Sequence, residues 1–148
     1  MTNEQLWGKL EKASKIKDLL KRSVEMSLLL KHGYEQDLDV LASGFLRGEN
    51  SELFHQGYID YDGGRFMTCY TSWEHAKKEW RRGETDDLVM VSLEYSIRNM
   101  INNAFNKQSI LGLVFNPEDE NSIVVLPKEI LEMFMPGEKP LPEGFSES

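Results

Sequence analysis

The chain has 148 residues, 40% of them hydrophobic, which is enough for one domain with a hydrophobic core. Its formal net charge is -8, and this balance disfavours a general nucleic-acid binder, because attraction to phosphate requires a concentrated positive surface. The first residues are too polar for a secretory signal, and no apolar run approaches the roughly 20 residues of a membrane span. We therefore expect a cytoplasmic protein.

The first predicted element is one long amphipathic helix over residues 3–32, ended by Gly33. Its apolar stripe requires a covering surface in the same chain, in a second copy or in another protein. Residues 1–34 contain seven Lys or Arg and four Asp or Glu, a net charge of +3, so the remaining residues carry -11. The candidate interaction residues on this stripe are Leu6, Leu10, Leu20, Val24 and Leu28.

The pattern between residues 34 and 56 is poorer. Leu38, Leu41 and Phe45 indicate one or two further helical turns, and a loop is expected at residues 48–51. Residues 1–56 are therefore predicted to form a helical N-terminal extension.

Beyond residue 57 the predicted elements alternate in type. The glycines of Asp62-Gly63-Gly64 suit a tight hairpin turn, and Thr71 and Glu74 have the spacing of a capping box at the start of a helix. The predicted elements are strands at 58–61 and 66–71, a helix ending near Gly83, a strand at 88–93, a helix at 95–105, strands at 110–115 and 122–126, and a helix opened by Pro127.

The strand at 110–115 is apolar on both faces, which is typical of the middle of a covered sheet. Helical crossovers after the second and third strands favour parallel pairing there, while the first and last connections are hairpins. The predicted fold is α+β, a mixed sheet of about five strands in the order β-β-α-β-α-β-β-α with flanking helices. This domain covers residues 57–135, and residues 136–148 form a flexible Pro-rich tail.

Three segments carry a family resemblance: FMTCYTSWEHA at 66–76, GLVFNP at 112–117 and VVLPKEILEMF at 124–134. Together with the order of elements, they resemble the N-terminal domain of the SseB family. The resemblance covers roughly residues 57–135 and implies a bacterial α+β domain with no established enzymatic activity or cofactor. The extension at residues 1–56 has no counterpart that could be matched.

Reactive side chains are few. Cys69 and His75 lie six residues apart and could form a nucleophile and its base, which would give an unidentified thiol-dependent activity. Cys69 also alternates with Met67 as a small core hydrophobe, and we interpret it in this way. The three histidines show no metal-ligand spacing, so we expect no metal site and no cofactor.

Two functions remain. The first is a non-catalytic intracellular module that binds another protein or a second copy of itself. The alternative is a sensor of an amino-acid-like small molecule, bound where the strands end at their carboxyl edge. The candidate ligand-binding residues are Thr71, Ser72, Glu94 and Asn116, although the same residue types also serve as helix caps and turn residues.

Overall fold

The computed structural model describes residues 1–47, 53–61, 63–78 and 88–135. The α+β class, the mixed sheet and the N-terminal helical segment are all confirmed within these residues. The helices are α1 (Asn3–Ser14), α2 (Leu19–Glu35), α3 (Trp73–Lys78), α4 (Ile97–Asn106) and α5 (Lys128–Phe134). The strands are β1 (Asp39–Arg47), β2 (Leu53–Gln56), β3 (Tyr58–Tyr61), β4 (Gly64–Tyr70), β5 (Leu88–Ser96), β6 (Ile110–Phe115) and β7 (Val124–Pro127).

The N-terminal helical segment is divided into α1 and α2. Asp18 begins the second helix, because its carboxylate accepts a hydrogen bond from the backbone N–H of Lys21 at 3.0 Å. The prediction that Gly33 ends the helix is wrong, since α2 continues to Glu35. Gly33 instead permits close packing: a Cβ at this position would lie 2.5 Å from Ile97 Cδ1.

The further helical turns expected between residues 34 and 56 are wrong, because residues 39–47 form the strand β1. Val40, Leu41 and Ala42 are consecutive and fully buried, as in a strand covered on both faces. Apolar residues at 38, 41 and 45 matched a helical period, but pairing with other strands decided the conformation. The loop expected at 48–51 and the helix end expected near Gly83 lie outside the described residues.

The sheet follows the path β2-β1-β4-β6-β7, with β3 also paired to β4 and β5 to β1. The predicted element order is confirmed from β3 to α5, and β1 and β2 are additional strands. β4 and β6 are parallel neighbours, whereas β5 pairs antiparallel with β1 along nine residues. The expected parallel pairing of the strand at 88–93 is therefore wrong. β1 lies between β4 and β5, so β5 pairs with β1 and not with β4.

The N-terminal helices share the core of the sheet. Leu6 and Leu10 are fully buried, and Trp7 Nε1 donates a hydrogen bond to the Asp39 carbonyl of β1 at 2.9 Å. α2 packs against α1, α4 and α5. The predicted domain boundary at residue 56 concerns whether residues 57–135 fold independently, and it stays a prediction. The contacts of α1 and α2 with the sheet argue against independent folding. The tail at 136–148 lies outside the described residues.

Across the ranges that the structure covers, no helix has both the length and the apolar character needed to cross a membrane.

Candidate functional site

Two of the predicted ligand-binding residues meet at the carboxyl edge of the parallel pair β4 and β6. Thr71 follows β4 and Asn116 follows β6, and the parallel direction brings the two strand ends together. The backbone N–H of Thr71 donates to Asn116 Oδ1 at 3.1 Å, and Asn116 Nδ2 donates to Thr71 Oγ1 at 3.0 Å. Both residues are buried, so these bonds replace bonds to water.

Asn116 is also the residue that turns the chain out of β6. Its φ of 52° lies in the left-handed region, which asparagine tolerates better than most residues. Its Nδ2 also donates to the Ser122 carbonyl at 3.2 Å, and its backbone N–H donates to the Cys69 carbonyl at 2.9 Å. One side chain thus fixes the connection between β6 and β7 against β4.

Helix α3 starts one residue later than the capping-box spacing predicted. Ser72, not Thr71, caps it, because Ser72 Oγ accepts the backbone N–H of His75 at 3.1 Å. The Thr71 hydroxyl is free to donate to Glu11 Oε2 on α1. The predicted cap at Thr71 and Glu74 is therefore wrong, and Thr71 serves to connect helix α1 to the strand edge.

His75 lies at the centre of this region, with only 6% of its surface exposed. Its Nε2 is 3.0 Å from Glu11 Oε1, and its Nδ1 is 3.0 Å from Glu118 Oε1. Asp119 Oδ2 lies 3.8 Å from the same Nδ1. We call this group the His75 network; its members are Glu11, Thr71, His75, Asn116, Glu118 and Asp119.

Each ring nitrogen of His75 faces a different carboxyl group of the network. The ring thereby joins three parts of the fold: α1 through Glu11, α3 through His75 itself, and the β6–β7 connection through Glu118 and Asp119.

Two carboxyl groups of the network, those of Glu11 and Asp119, have a lowered pKa. Burial alone would raise the pKa of Glu11, but hydrogen bonds from Thr71 and His75, with the charges of His75 and Lys15, outweigh burial and lower it below 4.5. A hydrogen bond from the backbone of Asn121 is the main cause of the lowered pKa of Asp119. One oxygen of Glu118, Oε2, is buried without a hydrogen-bond partner.

This arrangement restricts the chemistry available to His75. A general base needs a ring nitrogen facing the substrate, and here each nitrogen faces a carboxylate of the protein. Glu11 and Glu118 approach opposite nitrogens of the ring, so they do not converge on a common point. Among the residues that the structure describes, no group of three or more His, Cys, Asp or Glu is placed to hold a metal ion.

Cys69 is not joined to His75. Its thiol is fully buried and donates to Met100 Sδ at 3.2 Å, and burial raises the pKa of the thiol far above its usual range. A thiol in this environment stays protonated, and the thiolate is the nucleophilic form.

The other two predicted ligand-binding residues lie outside the network. Ser72 caps α3 through His75 N–H, as described above. Glu94 is exposed on β5 and is paired with Leu41 of β1, so that β1 separates its strand from β4. The expected four-residue crevice is thus reduced to the pair Thr71 and Asn116.

The predicted interaction stripe is also divided. Leu6 and Leu10 on α1 are fully buried, whereas Leu20 and Leu28 on α2 are 74% and 42% exposed and Val24 is half-buried. The opposite side of α2 is in the core. We define the outer face of α2 by the exposed and half-exposed residues that share one side of the helix by their spacing, namely Leu20, Lys21, Val24, Glu25, Leu28, Lys31 and Glu35.

Glu11, His75 and Glu118 have no local signal that would have identified them as partners. Glu11 and His75 are 64 residues apart in sequence, and His75 and Glu118 are 43 apart. Glu118 belongs to a run of three acidic residues, a composition typical of a solvated turn, yet its side chain is only 12% exposed.

Comparison of the chain with protein families, curated proteins and solved structures found no match.

Proposed function

We propose that this protein is a non-catalytic intracellular interaction module of the SseB N-terminal-domain type, which acts in the cytoplasm and binds protein through the outer face of α2. The observation that carries the proposal is the exposure of Leu20 and Leu28 on a helix whose other side is buried. The order of elements from β3 to α5 supports the family resemblance.

The outer face of α2 has the properties of a rigid binding helix. α2 is held in place by Tyr34 Oη, which donates to Asn102 Oδ1 at 3.0 Å, and by Arg22, whose guanidinium donates to the Ile123 carbonyl at 3.1 Å. A helix fixed in this way loses little entropy when a partner docks on it. Full burial of one leucine contributes about 1.5–3 kcal/mol, so Leu20 and Leu28 supply a useful driving force.

The His75 network and Cys69 support the non-catalytic part of the proposal. The ring nitrogens of His75 are engaged by Glu11 and Glu118, and the Cys69 thiol is buried. The sensor alternative receives less support, because polar groups of Thr71 and Asn116 are hydrogen-bonded to each other instead of facing a ligand. A thermal-shift screen of amino acids tests the sensor directly, since a ligand at 100 times its Kd stabilises the fold by about 2.7 kcal/mol.

The interaction role is tested with the double variant Leu20→Ser/Leu28→Ser in analytical ultracentrifugation over a concentration series. We expect the wild type to associate with rising concentration and the variant to remain monomeric with an unchanged melting temperature. Leu111→Ser is the matched control, because Leu111 is a leucine of similar exposure, 43%, on β6. Association of the double variant equal to that of the wild type would refute the role of this face.

A further inference from the structure

Resting on the proposed function, we infer that the partner of α2 is the α2 helix of a second copy of this chain, and that the two helices cross antiparallel at Leu28. The juxtaposition that points to this partner is the order of charges along the outer face of α2, which is complementary to itself when the helix is reversed.

The outer face of α2 carries two lysines and two glutamates, placed symmetrically about Leu28. Lys21 lies seven residues before Leu28 and Glu35 seven residues after it. Glu25 lies three residues before Leu28 and Lys31 three residues after it. Lys21, Glu25 and Glu35 are exposed, Lys31 is half-buried, and Leu28 is 42% exposed. The charges of the face therefore cancel in sum, but they have a fixed order.

Reversal of the helix sets each of these charges opposite its complement. In an antiparallel pair that crosses at Leu28, a residue before Leu28 lies opposite the residue the same number of positions after Leu28 in the second copy. Lys21 of each copy then lies opposite Glu35 of the other. Residues seven apart differ by only about 20° around a helix, so this pair lies close to the line of contact. Glu25 and Lys31 are also at matching heights, on the two flanks of the contact.

A two-fold axis makes each pair occur twice, because the two copies use the same surface. A parallel pair of helices would instead set Lys21 against Lys21 and Glu35 against Glu35, so the charges select the antiparallel arrangement. The face from Lys21 to Glu35 spans about 21 Å at the helical rise of 1.5 Å per residue. A contact of this length belongs to the small interfaces, so we expect a weak dimer whose population rises with concentration.

The centre of the contact is apolar. Leu28 packs on Leu28 of the second copy, and the half-buried Val24 lies opposite His32, which is also half-buried. Leu20, 74% exposed, lies at the end of the contact. Opposite charges at the rim of an apolar contact favour the correct partner and orient its approach.

The charges of the face favour a second copy over an anionic membrane. The net charge of -8 opposes approach to both, so it does not distinguish them. Charges more than about 8 Å apart are largely screened at physiological ionic strength, so the charges within the contact decide. An anionic membrane would set Glu25 and Glu35 against charges of the same sign, whereas a second copy sets them opposite Lys31 and Lys21. A different protein would need the same order of charges, which a second copy has by symmetry.

The test reverses one charge of the central pair in each of two variants, Lys21→Glu and Glu35→Lys. Each variant alone sets like charges against each other in both pairs of the dimer. In a mixed dimer of the two variants, both pairs again join opposite charges, because the two substituted positions face each other and the two unchanged positions face each other. The full chain is used throughout, and thermal melts establish that each variant is folded.

We expect each variant to self-associate about 10-fold more weakly than the wild type in analytical ultracentrifugation, because two exposed pairs change from attraction to repulsion. An equimolar mixture should recover association close to that of the wild type, and so should the cis combination Lys21→Glu/Glu35→Lys. The controls Lys9→Glu and Glu132→Lys make the same changes in net charge at exposed positions of α1 and α5, and they should associate like the wild type. Should either variant be unfolded, Lys21→Gln and Glu35→Gln remove the same charges, and each should weaken association about 3-fold.

Three outcomes would overturn the inference: a monomeric wild type, charge variants that associate like the wild type, or a mixture that associates no better than either variant alone. Binding of the wild type to vesicles of phosphatidylserine and phosphatidylcholine without self-association would overturn it as well. If Leu20→Ser/Leu28→Ser abolishes association while both charge variants associate like the wild type, the proposed function stands and the antiparallel contact fails. If the leucine variant associates normally, the proposed function itself fails.

Discussion

Replacement of His75 by leucine tests whether the His75 network holds α1, α3 and the β6–β7 connection together. Leucine occupies a similar volume but has no ring nitrogens, so Glu11 and Glu118 both lose their 3.0 Å contacts with the ring. The packing of Leu6 and Leu10 is untouched, so the loss of stability reports on the network alone.

The magnitude follows from the burial of the three groups. A hydrogen bond that involves a charged group contributes about 1.5–3 kcal/mol, and the variant loses the contacts of both carboxyl groups with the ring. The Glu11 side chain is 27% exposed and that of Glu118 is 12% exposed, so water and Lys15 relieve part of this cost. We therefore expect a loss of about 3 kcal/mol in the free energy of unfolding, or a decrease of about 6–12 °C in Tm for a chain of this size.

Urea denaturation followed by circular dichroism measures the loss. The control is His32→Leu, because His32 is a half-exposed histidine of α2 outside the network, and we expect a change within about 0.5 kcal/mol. A double-mutant cycle of His75→Leu with Glu11→Gln should give a coupling of at least about 1 kcal/mol. A His75→Leu protein as stable as the wild type, or a coupling near zero, would refute the reasoning.

Four further predictions follow from single features of the structure. The pKa of Glu11 is lower in the folded chain than its ordinary value of 4.5, so its contribution to stability is complete above pH 4.5 and is lost as the pH falls through the pKa of the folded state. Acid should therefore reduce the urea midpoint of the wild type more than that of Glu11→Gln. Gly112→Ala should give insoluble or strongly destabilised protein in expression and melting tests, because its Cβ would lie 2.1 Å from the backbone oxygen of Leu126; normal melting would contradict the close approach. Asn116→Ala should lower the free energy of unfolding by about 3 kcal/mol, because it removes the partner of the Thr71 N–H and places alanine in the left-handed region. Asn116→Gly should be about 1 kcal/mol more stable than the alanine variant in urea titrations. Equal stability of the two variants would show that the backbone at residue 116 is not strained. A chain beginning at Ser51 should show no cooperative melt, because it lacks β1, to which β2, β4 and β5 are hydrogen-bonded; a cooperative transition would restore the boundary near residue 56.

The sequence alone determined the order of elements from residue 58 onward. The hairpin turn near Gly63, the strand at 110–115 that is apolar on both faces, and Pro127 at the start of α5 act through backbone conformation and through periodicity over a few residues. These signals are local, so no tertiary information was needed to interpret them. Their boundaries agreed with the structure to within a few residues.

Tertiary contacts decided the remainder. The apolar residues between 38 and 46 were compatible with either a helix or a strand, and pairing of β1 with β4 and β5 selected the strand. The N-terminal stripe predicted an amphipathic segment, but only packing could direct Leu10 into the core and Leu20 outward.

The candidate site shows the same division. Thr71 and Asn116 were placed correctly at one edge because parallel strands end together, which is a rule of topology. Glu11 and His75 are 64 residues apart, and no periodicity or spacing relates them. Their contact exists because α1 folds back over the end of β4, and the energy of such a long-range contact has no counterpart in the local sequence pattern.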